Sequence, residues 1–527
     1  MCADVPGIFT RENNTDHNGR KVPIPQMMRF YYGTAGFRAN SAYLPFIVFR
    51  AGYLAGIRAR HLNQAVGIMV TASHNPISDN GVNDNEFAKK SRELRCRFAG
   101  RISEYGFVFI AADTRPSSKY LEHAAYSGVQ YARIGGQRLG LLTTPQLHYI
   151  VRCQNDSSYG TPTETGYYAK VCNALAGLNF VTRKGKDYTP ILYLDCANGV
   201  GAKKFPLIYI DWSVLIVNLV NNHDRLLNDQ CGADYVKMEK KFPRNFDNIE
   251  PLKRCAAFDG DADRLVYFYR DVSNKFVLID GDKIAALFSK YIVEQVNSTG
   301  LSGVFTISVI QTAYANGNST KYLRDNLGLN VSCVATGIKN LQREAMKYDI
   351  AVYFEANGHG SVHFSPRFFD IIRTIINHKD EIYQKIGVRR LLCLAKLLNT
   401  VVGDAMTDLL AVEMILRHYD WTMENWSSLY KELPSVQRKL QINGGSRIQV
   451  SADETICVKP KRLQETIDFI VGKYTDGRSF VRLSGTESVI RVYAEAETVE
   501  DANTIAAAVE NAVRESLYAS DSAGENS

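Results

Sequence analysis

Four short apolar runs, each followed by a polar loop, limit the possible folds of this chain more than any other pattern. The runs lie at residues 65–70, 255–258, 350–354 and 479–481, and segments with helical patterns separate them. This alternation favours α/β domains with parallel or mixed sheets. Open α/β sheets bind ligands in loops at the carboxyl ends of their strands. We therefore expect the four loops to face one central cleft.

The length of the chain predicts several domains. At 527 residues, and with roughly 100–200 residues per domain, three or four are expected. A turn-rich stretch at 154–162, a hairpin turn at 271–274 and a linker at Leu433-Pro434 mark candidate boundaries. They predict three tandem α/β domains with mixed sheets and a smaller α+β C-terminal domain. The predicted domains are residues 1–158, 159–278, 279–436 and 437–527.

Two helical regions are predicted in the second half of the chain. Residues 366–432 have a mostly helical pattern. Near the C-terminus, Thr498 is a candidate N-cap with Asp501 at the spacing of a capping box. We expect the last domain to close with this helix.

Composition excludes several classes of protein. Apolar residues make up 45% and charged residues 22% of the chain, which is typical of globular proteins. The net charge of +7 is small and the basic residues are scattered, so nucleic-acid binding is not expected. No apolar stretch reaches the length of a membrane span. Ten dispersed cysteines without a Cys-x-x-Cys pair indicate free thiols, and the absence of a signal sequence favours the cytoplasm.

A serine at a predicted strand end is the first candidate site residue. Ser73 lies in Thr71-Ala-Ser-His-Asn-Pro76, and in isolation such a serine is more often a turn former or an N-cap. A hydrolytic Ser–His pair is not expected, because adjacent residues seldom turn their side chains toward each other. The chain also lacks a Gly-x-Ser-x-Gly elbow at this position.

Three aspartates at alternate positions predict a metal site. In near-extended backbone, Asp259, Asp261 and Asp263 share one face, so their oxygens converge on one hard cation. An EF-hand loop is excluded, because Arg264 and Arg270 occupy the positions of its glycine and its last glutamate. A solvated acidic turn is the plain alternative. Together with a serine that carries a phosphoryl group, Mg²⁺ at this loop suits phosphoryl transfer.

The two remaining loops carry groups that suit a sugar phosphate. Arg482-Leu-Ser-Gly-Thr486 and Arg491 offer guanidinium, hydroxyl and backbone N–H donors for a phosphate dianion. Glu355-Ala-Asn-Gly-His-Gly360 offers a carboxylate and an amide for sugar hydroxyls. The alternatives are a hairpin with surface arginines and a glycine turn with a capping acid.

In this order, the motifs resemble those of the α-D-phosphohexomutase family over nearly the whole chain. Within it, the eukaryotic phosphoacetylglucosamine mutase branch is the most similar, chiefly through Glu355-Ala-Asn-Gly-His-Gly, where glucose and mannose mutases carry Gly-Glu-x-Ser. The other motifs that carry the resemblance lie at residues 32–38, 79–82, 113–118, 142–148, 227–234, 311–317 and 336–339.

The resemblance implies a cytoplasmic isomerase that interconverts N-acetylglucosamine 6-phosphate and 1-phosphate and supplies UDP-N-acetylglucosamine synthesis. It implies a phosphoserine at Ser73 and a hexosamine 1,6-bisphosphate that acts as intermediate and primer. Mg²⁺ is held by this phosphate with Asp259, Asp261 and Asp263. The phosphosugar is the only partner expected, with no nucleic acid and no membrane, and the oligomeric state is left open.

The resemblance also divides roles among the domains, which carry the phosphoserine, the metal, the sugar site and the distal phosphate in chain order. Glu355 and Asn357 bind sugar hydroxyls, with Thr336 and Gly337 nearby, and Ala356 is implied as a further substrate-binding residue. The residues implied for the non-reacting phosphate are Arg482, Leu483, Ser484, Gly485, Thr486 and Arg491.

Two departures from the family pattern matter, and the first concerns proton transfer. Asn83 replaces a lysine credited with that role, and an amide cannot titrate near pH 7. The segment that follows is short, because only residues 83–112 separate Val82 from Asp113.

Three explanations stay open. The proton is handled by another group, the chain is catalytically impaired, or the segment reflects a gene-prediction error. The candidate groups are Arg38, His74, Lys89 and Lys90. Leu483, where a proline is usual, is a smaller departure. The functional alternatives are a glucose or mannose phosphate mutase and a phosphosugar-binding paralogue without activity.

Overall fold

The computed structural model forms two compact units. The first comprises Met1–Asp280 and Cys393–Met423, and the second comprises Gly281–Leu392 and Glu424–Ser527. No helix within the described part of the chain is both long and apolar enough to span a membrane. The described residues are 7–30, 32–33, 36–83, 106–182, 185–211, 213–223, 226–377, 382–441, 448–483 and 489–521.

A six-stranded mixed sheet begins the first unit. Its strands are β1 (Tyr32–Gly33), β2 (Gly36–Asn40), β3 (Ala65–Val70), β4 (Asp79–Asn83), β5 (Phe107–Ala112) and β6 (Gly135–Leu141). The order across the sheet is β1-β2-β4-β3-β5-β6, with β3, β5 and β6 parallel. The helices are α1 (Pro45–Leu62), α2 (Ser118–Tyr131) and α3 (Thr144–Asn155). Apolar side chains of α1, α2 and the central strands form a single core cluster.

A five-stranded mixed sheet completes the first unit. It contains β7 (Ile191–Asp195), β8 (Ile216–Val220), β9 (Cys255–Phe258), β10 (Leu265–Arg270) and β11 (Phe276–Ile279), in the order β11-β10-β9-β7-β8. The accompanying helices are α4 (Glu164–Val181), α5 (Gly201–Lys204) and α6 (Ala233–Glu239). A turn closed by the Asn274 N–H and the Asp271 carbonyl joins β10 to β11, which confirms the predicted hairpin.

The second unit begins with a four-stranded mixed sheet. Its strands, β12 (Ile307–Thr312), β13 (Asn330–Val334), β14 (Ile350–Phe354) and β15 (Gly360–Phe364), are ordered β13-β12-β14-β15. Only β15 is antiparallel to its neighbour. The helices of this region are α7 (Gly281–Ser298), α8 (Gly317–Lys321), α9 (Ile338–Ala345), α10 (Pro366–Asn377) and α11 (Ile382–Leu397).

The next helix returns to the first unit. Helix α12 (Ala405–Tyr419) packs there through Glu413, which accepts a hydrogen bond from the Tyr188 hydroxyl (2.8 Å) and pairs with Arg254 (3.0 Å). Helix α13 (Met423–Ser427) follows. The predicted helical character of residues 366–432 is confirmed.

A small α+β region ends the chain. A three-stranded sheet contains β16 (Ser435–Gln441), β19 (Arg478–Leu483) and β20 (Val489–Glu495), and β17 (Gln449–Val450) pairs with β18 (Cys457–Lys459). Two helices, α14 (Lys461–Val471) and α15 (Val499–Asp521), cover it. Thr498 Oγ1 accepts the Asp501 N–H at 3.1 Å, as expected of the N-cap of α15.

The α/β class and the mixed sheets are confirmed. Each unit contains more than one sheet, and the boundaries of the four predicted domains stay predictions. Short 3-10 turns cover Gly7–Phe9, Ser41–Tyr43 and Phe205–Leu207, and a π-helical turn covers Tyr322–Asn326.

Candidate active site

Ser73 lies in the loop that follows β3, in strained backbone. Its φ of 49° is in the left-handed region, which costs a residue with a Cβ roughly 1–2 kcal/mol. The Ser73 N–H donates to Thr71 Oγ1 at 2.9 Å, and the residue is only 2% exposed. Strain of this kind persists where surrounding contacts hold it, commonly at functional sites.

Arg115 supplies those surrounding contacts. Its guanidinium is fully buried and pairs with Asp113 at 3.0 Å. It donates to the carbonyls of Ser73 (3.0 Å), Asn75 (2.9 Å) and Asp79 (2.8 Å). One rigid side chain with five N–H donors therefore holds the serine loop along most of its length. The sequence motif around Arg115 predicted no role for this residue.

The three aspartates lie in a turn after β9. The Ala262 N–H donates to the Asp259 carbonyl (3.2 Å), and Ala262 has a φ of 58°. Asp259 Oδ1 accepts the N–H groups of Asp263 (3.0 Å) and Arg264 (3.1 Å). The prediction of a near-extended backbone is therefore wrong, because the Asp259 side chain accepts hydrogen bonds from later N–H groups of the same loop and closes it into a turn. One oxygen from each of the three carboxylates nevertheless lies within 4.8 Å of the others.

The electrostatics of this turn suit a cation. Burial, and after it the repulsion between the carboxylates, raises the pKa of Asp259, Asp261 and Asp263 to about 7. Asp261 Oδ1 is buried and has no hydrogen-bond partner among the residues that the structure describes. Clustered carboxylate oxygens of this kind are ligands for hard cations such as Mg²⁺. The residues present therefore fit the predicted metal.

The structure brings Ser73 and the aspartates together. Ser73 Oγ donates to Asp259 Oδ2 at 2.6 Å. Asn228 donates to the Ser73 carbonyl at 2.8 Å. A Cβ at position 260 would lie 2.5 Å from this carbonyl, so only glycine allows the two loops to approach. These residues come from sequence regions about 150–190 positions apart, as the separations of the contacts show.

His74 contacts Ser73, although neighbouring side chains were not expected to meet. Its Nδ1 lies 3.3 Å from Ser73 Oγ. The left-handed backbone at Ser73 abolishes the alternation that separates neighbours in a strand. Burial lowers the pKa of His74 well below 6.5, with further lowering by the charges of Arg264 and Arg38. The ring is therefore neutral at pH 7.

Arg38 lies beside the same loop, on β2. Its Nη1 donates to Asn75 Oδ1 at 3.2 Å. Burial and the charge of Arg264 lower its pKa, and the three aspartates oppose that effect. The backbone of Asn83 ends β4 opposite Met69. Lys89 and Lys90, the other candidates for proton transfer, lie outside the described residues.

The predicted sugar loop lies in the second unit, between β14 and β15. Glu355 Oε1 accepts the Gly337 N–H at 3.0 Å, so two predicted site residues meet. The Ala356 carbonyl accepts the N–H of Gly281. Asn357 Oδ1 accepts the His359 N–H at 3.0 Å and thereby shapes its own loop.

Part of the predicted phosphate loop meets this region. Arg482, near the end of β19, donates to Thr336 Oγ1 and lies 3.2 Å from Glu454. Glu454 also accepts the Thr336 N–H (3.0 Å) and hydroxyl (2.8 Å). Sequence reasoning missed Glu454, which lies in a turn without a motif.

The structure describes only some of the remaining residues of the phosphate loop. Arg491 stands opposite Arg482 in the sheet, and Leu483 pairs with Ile490. Ser484, Gly485 and Thr486 lie outside the described residues.

Family models match four parts of the chain. Two describe domains III and II of "Phosphoacetylglucosamine mutase AMG1", at residues 280–421 and 158–266. Two describe phosphoglucomutase/phosphomannomutase, the C-terminal domain at 446–512 and the alpha/beta/alpha domain I at 54–87. The human phosphoacetylglucosamine mutase is 40% identical over 93% of this chain and 94% of its own length. The chain belongs to the phosphoacetylglucosamine mutase family. The resemblance predicted from the motifs is confirmed.

Other members of the family extend this match. The Candida albicans phosphoacetylglucosamine mutase is 38% identical over 93% of this chain and 97% of its own. A crystal structure of the Aspergillus fumigatus enzyme in complex with GlcNAc-6P and magnesium superposes with a TM-score of 0.87 at 37% identity. That match covers 93% of this chain and 96% of the other. Another structure of the Aspergillus fumigatus enzyme contains glucose 1,6-bisphosphate, with a TM-score of 0.86.

Proposed function

We propose that this chain is a Mg²⁺-dependent phosphosugar mutase that interconverts N-acetylglucosamine 6-phosphate and N-acetylglucosamine 1-phosphate. The observation that carries the proposal is the contact between Ser73 Oγ and Asp259, 2.6 Å long, at the edge of a three-carboxylate cluster. A hydroxyl beside a carboxylate cluster that fits a divalent cation supports the assignment of Ser73 as the phosphoryl carrier. The Aspergillus fumigatus relative binds this sugar phosphate together with magnesium.

The reaction consists of two transfers through Ser73. A sugar hydroxyl attacks the phosphorus of the phosphoserine, the P–Oγ bond breaks, and a 1,6-bisphosphate forms, while the net proton transfer is from the sugar hydroxyl to Ser73 Oγ. After the bisphosphate reorients, Ser73 Oγ attacks the phosphorus of the other phosphoryl group and the bond from that phosphorus to the sugar oxygen breaks. The proton of Ser73 Oγ passes in net to that sugar oxygen, and the monophosphate leaves. Such transfers need positioning and charge neutralisation more than covalent chemistry. Mg²⁺ held by Asp259, Asp261, Asp263 and the phosphoserine supplies part of that neutralisation.

The serine loop is held for this task before substrate binds. Arg115 and Asn228 both donate to the Ser73 carbonyl, so the loop cannot swing as the phosphoryl group leaves and returns. His74 Nδ1 lies 3.3 Å from Oγ, within reach of the proton of the serine hydroxyl, and is assigned to its transfer. Arg38 contributes positive charge beside the transferring group. His74→Ala is expected to lower kcat more than it raises KM, and the reverse result would assign His74 to binding.

In the second unit, Glu355 and Asn357 bind sugar hydroxyls, with Ala356, Thr336 and Gly337 around them. Arg482, Leu483, Ser484, Gly485, Thr486 and Arg491 bind the phosphate that is not reacting. The contacts among Thr336, Glu454 and Arg482 support a shared site for both parts of the substrate. Relative kcat/KM on the N-acetylglucosamine, glucose and mannose phosphates tests the sugar assignment, and a preference for glucose 1-phosphate would overturn it.

Isotope exchange between the two phosphosugar isomers, with the 1,6-bisphosphate as primer, tests the reaction. Exchange that requires Mg²⁺ and Ser73 supports the mutase. A second candidate, a phosphosugar-binding paralogue without activity, is favoured by Asn83 in place of the family lysine. Folded protein that binds the sugar phosphate without exchange would identify this second function.

The proposal includes a cytoplasmic location and a role in UDP-N-acetylglucosamine synthesis. The free cysteines among the described residues, five of which are buried, suit a reducing compartment. Fractionation of cells that express the tagged chain tests the location, and recovery in the secreted fraction would contradict it.

A further inference from the structure

Thr144, the first residue of α3, makes two contacts with the turn that carries Asp259, Asp261 and Asp263, called the metal turn below. Its hydroxyl donates to Asp261 Oδ2 at 2.5 Å, and its N–H donates to the Asp261 carbonyl at 3.3 Å. Thr144 is 6% and Asp261 1% exposed, so water does not compete for these bonds. The two residues are 117 positions apart in the chain.

The hydroxyl of Thr144 is not needed to cap its helix. That role belongs to Thr143, whose Oγ1 accepts the Gln146 N–H at 3.2 Å, while Gln146 Oε1 accepts the Thr143 N–H at 3.1 Å. Asn399 donates to the Pro145 carbonyl at 3.3 Å from the other side. The start of α3 is therefore fixed by its neighbours, and the Thr144 hydroxyl is held in place for Asp261.

The contact distinguishes the two oxygens of Asp261. Oδ2 accepts the Thr144 hydroxyl, whereas Oδ1 is buried without a hydrogen-bond partner among the described residues. A carboxylate with one oxygen occupied and the other buried and unsatisfied is oriented to give that second oxygen to a cation. Hydrogen bonds from such outer partners orient metal ligands, and their loss typically weakens metal affinity about 10–100-fold.

We propose that Thr144 is a positioning residue for the metal site, because its hydroxyl sets the rotation of the Asp261 carboxylate and assigns Oδ1 to the cation. The inference rests on the proposed function, in which the aspartate turn holds Mg²⁺. It adds a residue outside both the serine loop and the aspartate turn to the apparatus of phosphoryl transfer.

The test compares Thr144→Val, which removes the hydroxyl at nearly constant shape, with Thr144→Ser, which retains it. The probe is Mn²⁺ alone, titrated into the purified full-length protein and followed by electron paramagnetic resonance. Thr144→Val is expected to raise the Kd about tenfold or more, with Thr144→Ser close to wild type. Turnover by Thr144→Val is expected to recover at high Mg²⁺.

The matched control is Thr143→Val, which loses the helix cap and leaves the hydroxyl on Asp261. It is expected to lower Tm with little change in the Kd for Mn²⁺. An unchanged Kd in Thr144→Val, or an equal rise in Thr143→Val, would overturn the proposal. If Thr144→Val does not fold, Thr144→Ala gives the same comparison.

The failure of the proposed function would look different. In that case isotope exchange is absent in the wild-type protein. The Kd for Mn²⁺ of the Thr144 variants is measured without turnover, so it tests the role of Thr144 independently.

Discussion

At Ser73, one oxygen atom joins the serine loop to the metal turn. The hydroxyl donates to Asp259 at 2.6 Å and contacts His74, and the backbone carbonyl is held by Arg115 and Asn228. The side chain is the part of this loop to which the proposal assigns the reaction. The proposed chemistry therefore depends on this one atom.

Replacement of Ser73 by alanine is expected to remove nearly all isotope exchange, because no other hydroxyl accepts the travelling phosphoryl group. Binding of N-acetylglucosamine 6-phosphate, measured by calorimetry, is expected to stay measurable, since the proposed sugar groups are elsewhere. Activity close to wild type would refute the carrier assignment.

Asp261→Ala is expected to abolish turnover that depends on Mg²⁺. Removal of one of three clustered carboxylates takes away a ligand and part of the charge that binds the cation. The measurement is the rate as a function of Mg²⁺ concentration. Asp229→Ala, at a surface ion pair with Arg244, serves as the control and should keep the wild-type curve. If the two curves coincide, the turn is not the metal site.

Helix α12 shows how one element is bonded at both ends. At its start, buried Asp404 accepts the Tyr167 hydroxyl at 2.9 Å and the Thr407 N–H at 3.3 Å. The next residue, Ala405, donates to the carbonyl of Ala262 in the metal turn. At its end, Asp420 accepts the N–H groups of Lys186, Asp187 and Tyr188.

The pKa values of the aspartates at the two ends are shifted in opposite directions. Burial raises the pKa of Asp404 to about 6, so its folded form retains the proton more strongly than the unfolded chain. Its contribution to the free energy of unfolding is complete below about pH 4 and is lost as pH rises through about 6. Asp404→Asn keeps a capping side chain. It should reduce the loss of unfolding free energy between pH 4 and 8 by about 2–3 kcal/mol. Urea unfolding between pH 4 and 8 measures it.

Asp420 is the control with the opposite sign. Hydrogen bonds from the backbone of Tyr188 and Lys186 lower its pKa, so its contribution is present near neutral pH and is lost as pH falls through the lowered pKa. Asp420→Asn should therefore lose stability near neutral pH and differ least from wild type in acid. A decline between pH 4 and 8 that Asp404→Asn leaves unchanged would contradict the assignment to Asp404.

For the whole molecule, the proposed roles divide between the two compact units. The serine carrier and the metal turn belong to the first, and the sugar and phosphate groups belong to the second. In the proposed reaction, the two phosphates of the bisphosphate occupy the site of the non-reacting phosphate in turn, each at a different stage. The arginines proposed for that site would therefore bind both substrate isomers.

Arg491→Ala and Ser484→Ala are expected to weaken binding of both isomers by comparable factors. A charge-assisted hydrogen bond contributes about 1.5–3 kcal/mol, so the loss for Arg491 should be about tenfold or more. Turnover should also slow, because the bisphosphate escapes before it reorients, and added bisphosphate should partly restore the rate. An effect on one isomer only, or no new dependence on bisphosphate, would disprove the shared site.

Features encoded within a few neighbouring residues were predictable. The strands at 65–70, 255–258 and 350–354 appear with those bounds, and Thr498 caps the last helix. Apolar periodicity, turn residues and caps depend on local sequence, so they carry their signal without knowledge of the fold. The order of the motifs along the chain is likewise enough to indicate the family.

Long-range packing decided the rest. The hydrogen bond from Thr144 to Asp261 spans 117 residues, and the carbonyls held by Arg115 lie about 40 residues away. The left-handed backbone at Ser73 and Ala262 depends on those contacts rather than on either residue's own preference. Backbone strain and buried hydrogen bonds are stable only when distant segments enclose them, and local sequence carries no record of that enclosure.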